Sequence, residues 1–319
     1  MKRLTGILSG LLLAITARAE VTMEKVNFGG WPNSIRLSNG AIELVATTDV
    51  GPRIIRLALP GGENVFKVWP EQAGVKGGDK WNIFGGHRFW HAPEDKIRTY
   101  QPDNEPVEVW WENGVLKLVQ KTEAKTGLQK EIEIVMHPKE ARVEVRHRLR
   151  NHNLWAVEAA QWALSVMQGP GRAILPQEPP SKDLLPARSM AMWGYTDMGD
   201  PRWTWGTKYI QLRCDPENKK AQKIGIRNSQ GWMAYQGKTA LFFKRMPFDA
   251  KAMYPDFGCN TELYTNGDML EMETVGALTQ LAPGASAEHV EVWFLLKYQV
   301  GPDESVMSDK LPPLVRGLK

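Results

Sequence analysis

The sequence has few of the residues that form cross-links or metal sites, with only two cysteines among 319 residues. Neither Cys214 nor Cys259 has a second cysteine or a histidine at the close spacing of a zinc site, so we expect no metal and no other cofactor. The formal net charge is only +4. Because the basic residues do not cluster, we also expect no nucleic-acid partner.

Signature motifs of several enzyme classes are absent as well. The chain contains no P-loop, no G-x-S-x-G, no H-E-x-x-H and no Rossmann glycine pattern. These absences argue against a P-loop NTPase, an α/β-hydrolase, a zincin protease and a dinucleotide-dependent oxidoreductase.

The N-terminal apolar run, Leu4 to Thr16, is shorter than the ~20 residues that a membrane-spanning helix needs. It follows Lys2 and Arg3 and precedes Ala17-Arg18-Ala19, which matches an A-x-A cleavage site. We therefore predict that residues 1–19 are a signal peptide cleaved after Ala19. The mature protein is then periplasmic or secreted, with no membrane partner.

Export changes the meaning of two compositional features. Cleavage removes three basic residues and no acid, which leaves 37 basic and 36 acidic residues and a net charge of +1. An exported protein can also hold a disulfide, so Cys214 and Cys259 are either bonded to each other or two buried thiols.

The rest of the chain has the alternating pattern of β-strands. Asn39-Gly40 and Asn113-Gly114 each lie between two apolar-alternating runs, which predicts two hairpins with type I′ turns. Leu128 to Met136 and Val143 to Leu149 alternate apolar and polar residues, as strands with one wet face do. No window of 11 or more residues shows a helical stripe. We predict an all-β fold, a large antiparallel β-sandwich formed by residues 20–319 as a single domain.

Thirteen tryptophans are the main compositional clue, and two of them fall in the densest candidate segment, Trp81 to Asp95. There, Gly85-Gly86 allow close backbone approach, and His87, Arg88, Trp90 and His91 follow. Indole faces stack on pyranose rings, and Arg pairs with hydroxyls or a carboxylate, so this composition suits a sugar or a uronate. The alternative is that the aromatic residues are core and that His87 and Arg88 cap a turn.

Two further segments carry candidate binding residues. Glu271 and Glu273 share one face of a predicted strand, and Glu262 lies on the strand before it, so paired carboxyls could meet there. A solvated sheet edge would give the same pattern. The loop from Trp193 to Trp205 interleaves aromatic and polar residues, with Trp193, Asp197 and Trp203 as candidate sugar contacts.

Four short segments occur in an informative order: Gly85-Gly-His-Arg-Phe-Trp, Trp162-Ala-Leu-Ser-Val-Met, Glu262-Leu-Tyr-Thr-Asn, and Leu270-Glu-Met-Glu-Thr leading to Leu281-Ala-Pro-Gly. Together they resemble a bacterial family of uncharacterised proteins with the galactose mutarotase-like fold, which is distantly similar to aldose 1-epimerases. The resemblance runs from about Ile35 to Leu296. It implies the large antiparallel β-sandwich of those enzymes.

The resemblance also implies roles. In aldose 1-epimerases a glutamate base takes the proton of the anomeric hydroxyl, and a histidine acid protonates the ring oxygen. Glu273, ten residues before Pro283-Gly284, matches the glutamate, with Glu271 as the fallback. His87 approximates one epimerase histidine and is the predicted acid. The strand that carries the epimerase acid histidine corresponds to Ala160 to Leu164, which contains none.

Two functions fit these residues. The first is an exported carbohydrate-active protein that binds a sugar in a Trp-lined cleft, acting as an aldose 1-epimerase-like isomerase with Glu273 as base. The second is a non-catalytic glycan-binding protein with the same fold, which the missing histidine favours.

Overall fold

The computed structural model describes residues 21–318, and the predicted signal peptide lies outside this range. Its strands, in chain order, are β1 (Thr22–Phe28), β2 (Trp31–Ser38), β3 (Glu43–Thr47), β4 (Arg53–Ala58), β5 (His87–Ala92), β6 (Glu108–Glu112), β7 (Val115–Val119), β8 (Leu128–Met136), β9 (Arg142–Asn151), β10 (Val157–Met167), β11 (Gly171–Pro176), β12 (Met190–Met192), β13 (Trp203–Trp205), β14 (Tyr209–Cys214), β15 (Gln222–Ile226), β16 (Trp232–Gln236), β17 (Leu241–Arg245), β18 (Thr261–Thr265), β19 (Leu270–Val275), β20 (Thr279–Leu281) and β21 (Ser286–Leu296).

These strands form two antiparallel sheets. The first has the order β1-β2-β3-β4-β5-β10-β19-β18-β15-β12, with β20 paired to β10. The second has the order β13-β14-β11-β16-β17-β21-β9-β8-β7-β6. The predicted all-β antiparallel sandwich is confirmed.

The sheets pack face to face around a shared apolar core. Phe66, Phe242 and Trp293 meet there edge to face, with ring centroids 5.7–5.8 Å apart. Because side chains alternate along a strand, each central strand of the first sheet sends one set of residues into this core and the other set to the outer face. The outer face of β5, β10, β19, β18 and β15 carries the candidate site.

Both predicted hairpins form, but only one has the predicted turn. Asn113 and Gly114 both have positive φ, at 52° and 79°, as a type I′ turn requires. At the first hairpin only Gly40 has positive φ. The Asn39 side chain instead accepts hydrogen bonds from the backbone N–H groups of Ala41 and Ile42, both at 2.9 Å. This wider loop replaces the expected two-residue turn.

The expectation of no helix was wrong at the C-terminus, where a helix spans Glu304–Gly317. Asp303 caps it by accepting from the N–H groups of Ser305 and Val306. Only two of its residues, Met307 and Leu311, are buried. The sequence does not predict this helix because its apolar stripe is narrow and is followed by two prolines, which normally end or kink a helix.

Short helical turns at Pro70–Gln72 and Pro255–Gly258 complete the secondary structure of the described residues. Cys214 and Cys259 are free, buried thiols, which decides the alternative left open by the sequence. Within residues 21–318, no helix is both long and apolar enough to cross a membrane.

Candidate functional site

A cleft of about 610 Å³ lies on the outer face of the first sheet, within the size range of small-ligand sites. Strand register builds its floor: Leu164 of β10 pairs with Arg88 of β5 on one side and with Glu273 of β19 on the other, and Glu273 pairs with Glu262 of β18. Eight aromatic side chains line the cleft: Trp69, Trp81, Trp90, Tyr100, Trp162, Trp193, Tyr195 and Tyr264.

Glu273 lies at the centre of the floor and is fully buried. Its Oε2 accepts hydrogen bonds from the indole Nε1 of Trp162, at 2.8 Å, and from Nζ of Lys223, at 3.0 Å. The same Lys223 ammonium lies 2.8 Å from Oε2 of Glu262. One ammonium therefore serves two buried carboxyl groups.

Aromatic rings hold both cations of the floor in place. Lys223 Nζ lies 4.6 Å from the ring centroids of both Trp162 and Trp193. The guanidinium of Arg88 lies 4.4 Å from the centroid of Trp90, and its Nη1 is 2.6 Å from Oε1 of Glu271. These cation–π contacts and ion pairs fix the donors and acceptors of the floor before any ligand binds.

Burial and neighbouring charges shift the pKa values of the groups on the floor. Burial raises the pKa of Glu262 well above its usual range, and the nearby Glu273 adds to this shift. Burial also raises the pKa of Glu271, against the pull of Arg88. Burial alone would lower the pKa of Lys223, but the carboxylates of Glu273 and Glu262 outweigh it and raise this pKa.

Several buried polar atoms of the cleft have no hydrogen-bond partner among the described residues. On residues that line the cleft they include one acceptor, Oε1 of Glu273, and two donors, Nε of Arg88 and Nε1 of Trp81; Oε1 of Glu262, whose partner Lys223 lines the cleft, is a further acceptor. Unpartnered buried polar atoms cost free energy and are rare in folded proteins. Their concentration here indicates a surface shaped for a ligand that both donates and accepts hydrogen bonds.

The structure brings six of the predicted site residues together. Arg88, Trp90, Trp193, Glu271 and Glu273 line the cleft, and Glu262 joins them through Lys223.

Four predicted residues do not reach the cleft. His87 and His91 alternate with Arg88 and Trp90 on β5, so both point into the core. Trp203 is buried against Trp205 and donates to Gln222. Asp197 is exposed on its loop, where it accepts from the backbone N–H of Gly199.

His87 belongs instead to a buried polar cluster between the two sheets. Its Nε2 lies 2.7 Å from Nε2 of His147, and its Nδ1 lies 2.8 Å from Oγ of Ser165. Nearby, Oε1 of Glu291 is 2.8 Å from Nζ of Lys244, and its Oε2 accepts from the indole of Trp293. The predicted acid therefore has no path to a ligand in the cleft.

His87, His147 and Glu291 are of the right types and spacing to ligate a metal, since their ligand atoms lie within 4.8 Å of one another. Each already has a protein partner, however. The His147 Nδ1 lies 3.1 Å from the carbonyl of His289, so its Nε2 is free to accept from His87. The Glu291 carboxylate is neutralised by Lys244. A hydrogen-bonded network accounts for all of these contacts without an ion.

The buried histidines predict acid sensitivity. Burial lowers the pKa of His147 to about 4, that of His289 and of His91 to about 3, and that of His87 well below its usual value. The unfolded chain therefore binds protons below pH ~6.5 that the folded chain does not, so stability falls as pH drops from about 6.5 towards 4. Each imidazole contributes up to about 1.4 kcal/mol per pH unit.

The raised pKa values of Glu262 and Glu271 act in the opposite direction over part of this window, but four imidazoles outnumber two carboxyls. Urea unfolding at pH 7.5 and pH 5 measures the net effect. His147→Gln should reduce the pH dependence, while His152→Gln, at an exposed position, should leave it unchanged. Equal stability at both pH values, or equal slopes in the two variants, would contradict this account.

Sequence reasoning missed three groups that shape the cleft. Lys223 is the first of these groups: a lysine inside the run Gln222–Ile226, whose other residues are mostly apolar, signals a buried partner. Trp162 occupies the stretch where a histidine was sought. Tyr264 follows Glu262 by two residues on β18, so period-two spacing alone places both on the same face.

Comparison with known proteins adds to this geometry. No protein-family profile matches the chain, and no curated protein sequence matches it. Solved structures do match. A galactose mutarotase-like protein from Lactobacillus casei has a TM-score of 0.52 at 10% identity, covering 82% of this chain and 100% of that one. One from Clostridium acetobutylicum has a TM-score of 0.52 at 10% identity, covering 88% and 99%.

The chain has the galactose mutarotase-like fold. The sequence segments that resemble galactose mutarotase-like proteins implied this fold, and the fold is confirmed. A TPR-domain containing protein from Parabacteroides distasonis also matches, with a TM-score of 0.56, 14% identity and 84% of this chain covered. This chain spans only 48% of that protein. At such identities, the galactose mutarotase-like fold is shared and activity does not follow from it.

Proposed function

We propose that the cleft binds a carbohydrate and that Glu273 acts there as the general base of anomer interconversion. The observation that carries the proposal is the convergence of unpartnered donors and an unpartnered acceptor, on Arg88, Trp81 and Glu273, among the aromatic residues that line the cleft. Sugar hydroxyls donate and accept, and the C–H faces of a pyranose stack on indoles. The galactose mutarotase-like fold supports the same class of ligand.

The geometry also suits Glu273 to proton transfer. Glu273 lines the cleft, its Oε2 is fixed by Trp162 and Lys223, and its Oε1 has no hydrogen-bond partner among the described residues. In the proposed reaction, Oε1 takes the proton of the anomeric hydroxyl as the bond from the anomeric carbon to the ring oxygen breaks. Solvent water donates a proton to the ring oxygen, whose developing charge the Lys223 ammonium at the cleft stabilises, and reclosure on the other face reverses both transfers.

The direct test is exchange-type NMR on galactose, glucose and glucosamine with catalytic amounts of protein, comparing the rate at which the two anomers interconvert. The proposal expects acceleration above the buffer rate for at least one sugar. No acceleration for any sugar in a wider panel of monosaccharides would exclude the catalytic part.

A second candidate is a non-catalytic glycan-binding protein. It is favoured by the absence of any imidazole among the described residues that line the cleft. For this candidate, a sugar binds with no change in anomerisation rate, and Glu273→Gln alters affinity alone.

We also propose that the protein acts after export, on the strength of the N-terminal pattern from Lys2 to Ala19. Cell fractionation should then recover the protein outside the cytoplasm. N-terminal sequencing of that protein should give Glu20 as its first residue. An N-terminus at Met1 in the cytoplasmic fraction would refute this.

A further inference from the structure

The charges on the cleft floor do not balance. Three carboxyl groups, on Glu262, Glu271 and Glu273, face two cations, Arg88 and Lys223. Arg88 pairs with Glu271, which leaves Lys223 shared by the other two carboxyls. When all three carboxyls are ionised, negative charge is in excess, and because all five groups are at least nine-tenths buried, water does little to offset it.

The excess negative charge lies on the pair of carboxyl groups that share Lys223. Glu262 and Glu273 are direct cross-strand partners, where like charges are unfavourable. Each presents its Oε2 to the shared ammonium, and each has an Oε1 without a hydrogen-bond partner among the described residues. Burial is the main cause of the raised pKa of Glu262, and the Glu273 carboxylate beside it adds to the shift.

Two cations lie near the rim of the cleft, but neither forms an ion pair with Glu262 or Glu273: Lys67 contacts the Trp69 ring and donates to the Asp268 carbonyl, and Lys219 pairs with Asp268. The two charged residues that line the rim are acidic, Glu94 and Asp268. Glu94 accepts from the Tyr100 hydroxyl, and Asp268 lies 3.4 Å from Lys219. A carboxylate ligand would meet an acidic surface whose guanidinium is already engaged by Glu271, so the uronate considered from the sequence is disfavoured.

We infer that the preferred ligand is a sugar with a protonated amine next to the anomeric carbon, a 2-amino-2-deoxyhexose. This inference rests on the proposal that the cleft binds a sugar. The ammonium supplies the missing positive charge at Oε1 of Glu273, and it keeps the anomeric hydroxyl within reach of the same carboxylate, because the two substituents are on adjacent carbons.

Four sugars separate the contributions to binding: D-glucosamine, D-glucose, N-acetyl-D-glucosamine and D-glucuronate, titrated by calorimetry or tryptophan fluorescence at pH 6.5. Because the amine would form a charge-assisted hydrogen bond in a buried site, we expect the affinity for glucosamine to exceed that for glucose by about tenfold or more. N-Acetylation keeps the substituent but removes the charge, so it should abolish the advantage. Glucuronate should bind most weakly.

A pair of variants tests where the preference comes from. Glu262→Gln removes the excess charge with little change in shape and should bring the ratio of glucosamine to glucose affinity close to 1. Glu158→Gln, at an exposed position on β10, should leave the ratio as in the wild type.

The outcomes distinguish this inference from the proposed function. If glucose binds as well as glucosamine, or glucuronate binds best, the amine preference is wrong while the sugar-binding cleft stands. If N-acetylglucosamine matches glucosamine, the amine charge is irrelevant and the inference falls. If none of the four sugars binds, the inference falls; if galactose and the wider panel of monosaccharides also fail to bind, the proposed function is overturned with it.

Discussion

Glu273→Gln is expected to lower the rate of enzyme-catalysed anomerisation by about 10²- to 10⁴-fold, the usual contribution of a general base. The amide keeps the side-chain shape but cannot accept the proton of the anomeric hydroxyl. Because Glu273 Oε2 only accepts from Trp162 and Lys223, the Gln amide oxygen can preserve both contacts. Exchange NMR at saturating sugar measures the rate.

Binding of D-glucose, which has no amine to pair with the carboxylate, should survive this substitution within a few-fold, which separates a lost base from a lost cleft. Glu158→Gln, an exposed change on the neighbouring strand β10, serves as the matched control and should keep the full rate. A Glu273→Gln protein with wild-type activity would remove Glu273 from the mechanism and make Glu271, the fallback from the sequence resemblance, the next residue to test.

Lys244→Met is expected to reduce the free energy of unfolding by about 3–5 kcal/mol, the range for breaking a buried ion pair by removing one partner. Lys244 and Glu291 are both fully buried, 2.8 Å apart, between the two sheets. Without the ammonium, Glu291 keeps hydrogen bonds from Trp293 and Thr274 but has no countercharge. Urea unfolding at pH 7.5 measures the loss.

The double variant Lys244→Met/Glu291→Leu should recover much of that stability, because replacing a whole buried pair by apolar groups is often close to neutral. Lys238→Met removes a lysine that is 69% exposed and should change stability by no more than about 0.5 kcal/mol. If Lys244→Met matched Lys238→Met, the ion pair would contribute nothing to the fold.

The fold was predictable because its signals are local. Alternation over Leu128–Met136 and Arg142–Asn151 and the turn at Asn113-Gly114 place strands and hairpins directly. The C-terminal helix was not predicted because only two residues, Met307 and Leu311, form its buried face. The free state of Cys214 and Cys259 depends on their separation in space, which no local pattern encodes.

The site was predictable only in part, for a related reason. A strand shows which residues share a face but not which face meets the other sheet. His87 and Arg88 are adjacent on one strand, so their side chains point to opposite faces of the sheet. The prediction that both belong to one site was therefore wrong for one of them. Lys223 was missed because its partners, Glu262 and Glu273, lie on strands 39 or more residues away in the chain.

The most direct test of the central claim is a crystal structure of the protein soaked with D-glucosamine or D-glucose. The account predicts a pyranose in the cleft, stacked on Trp90, Trp162 or Trp193, with its anomeric oxygen within hydrogen-bond distance of Oε1 of Glu273. A sugar bound elsewhere on the surface with the cleft empty, or one in the cleft whose anomeric oxygen points away from Glu273, would contradict it.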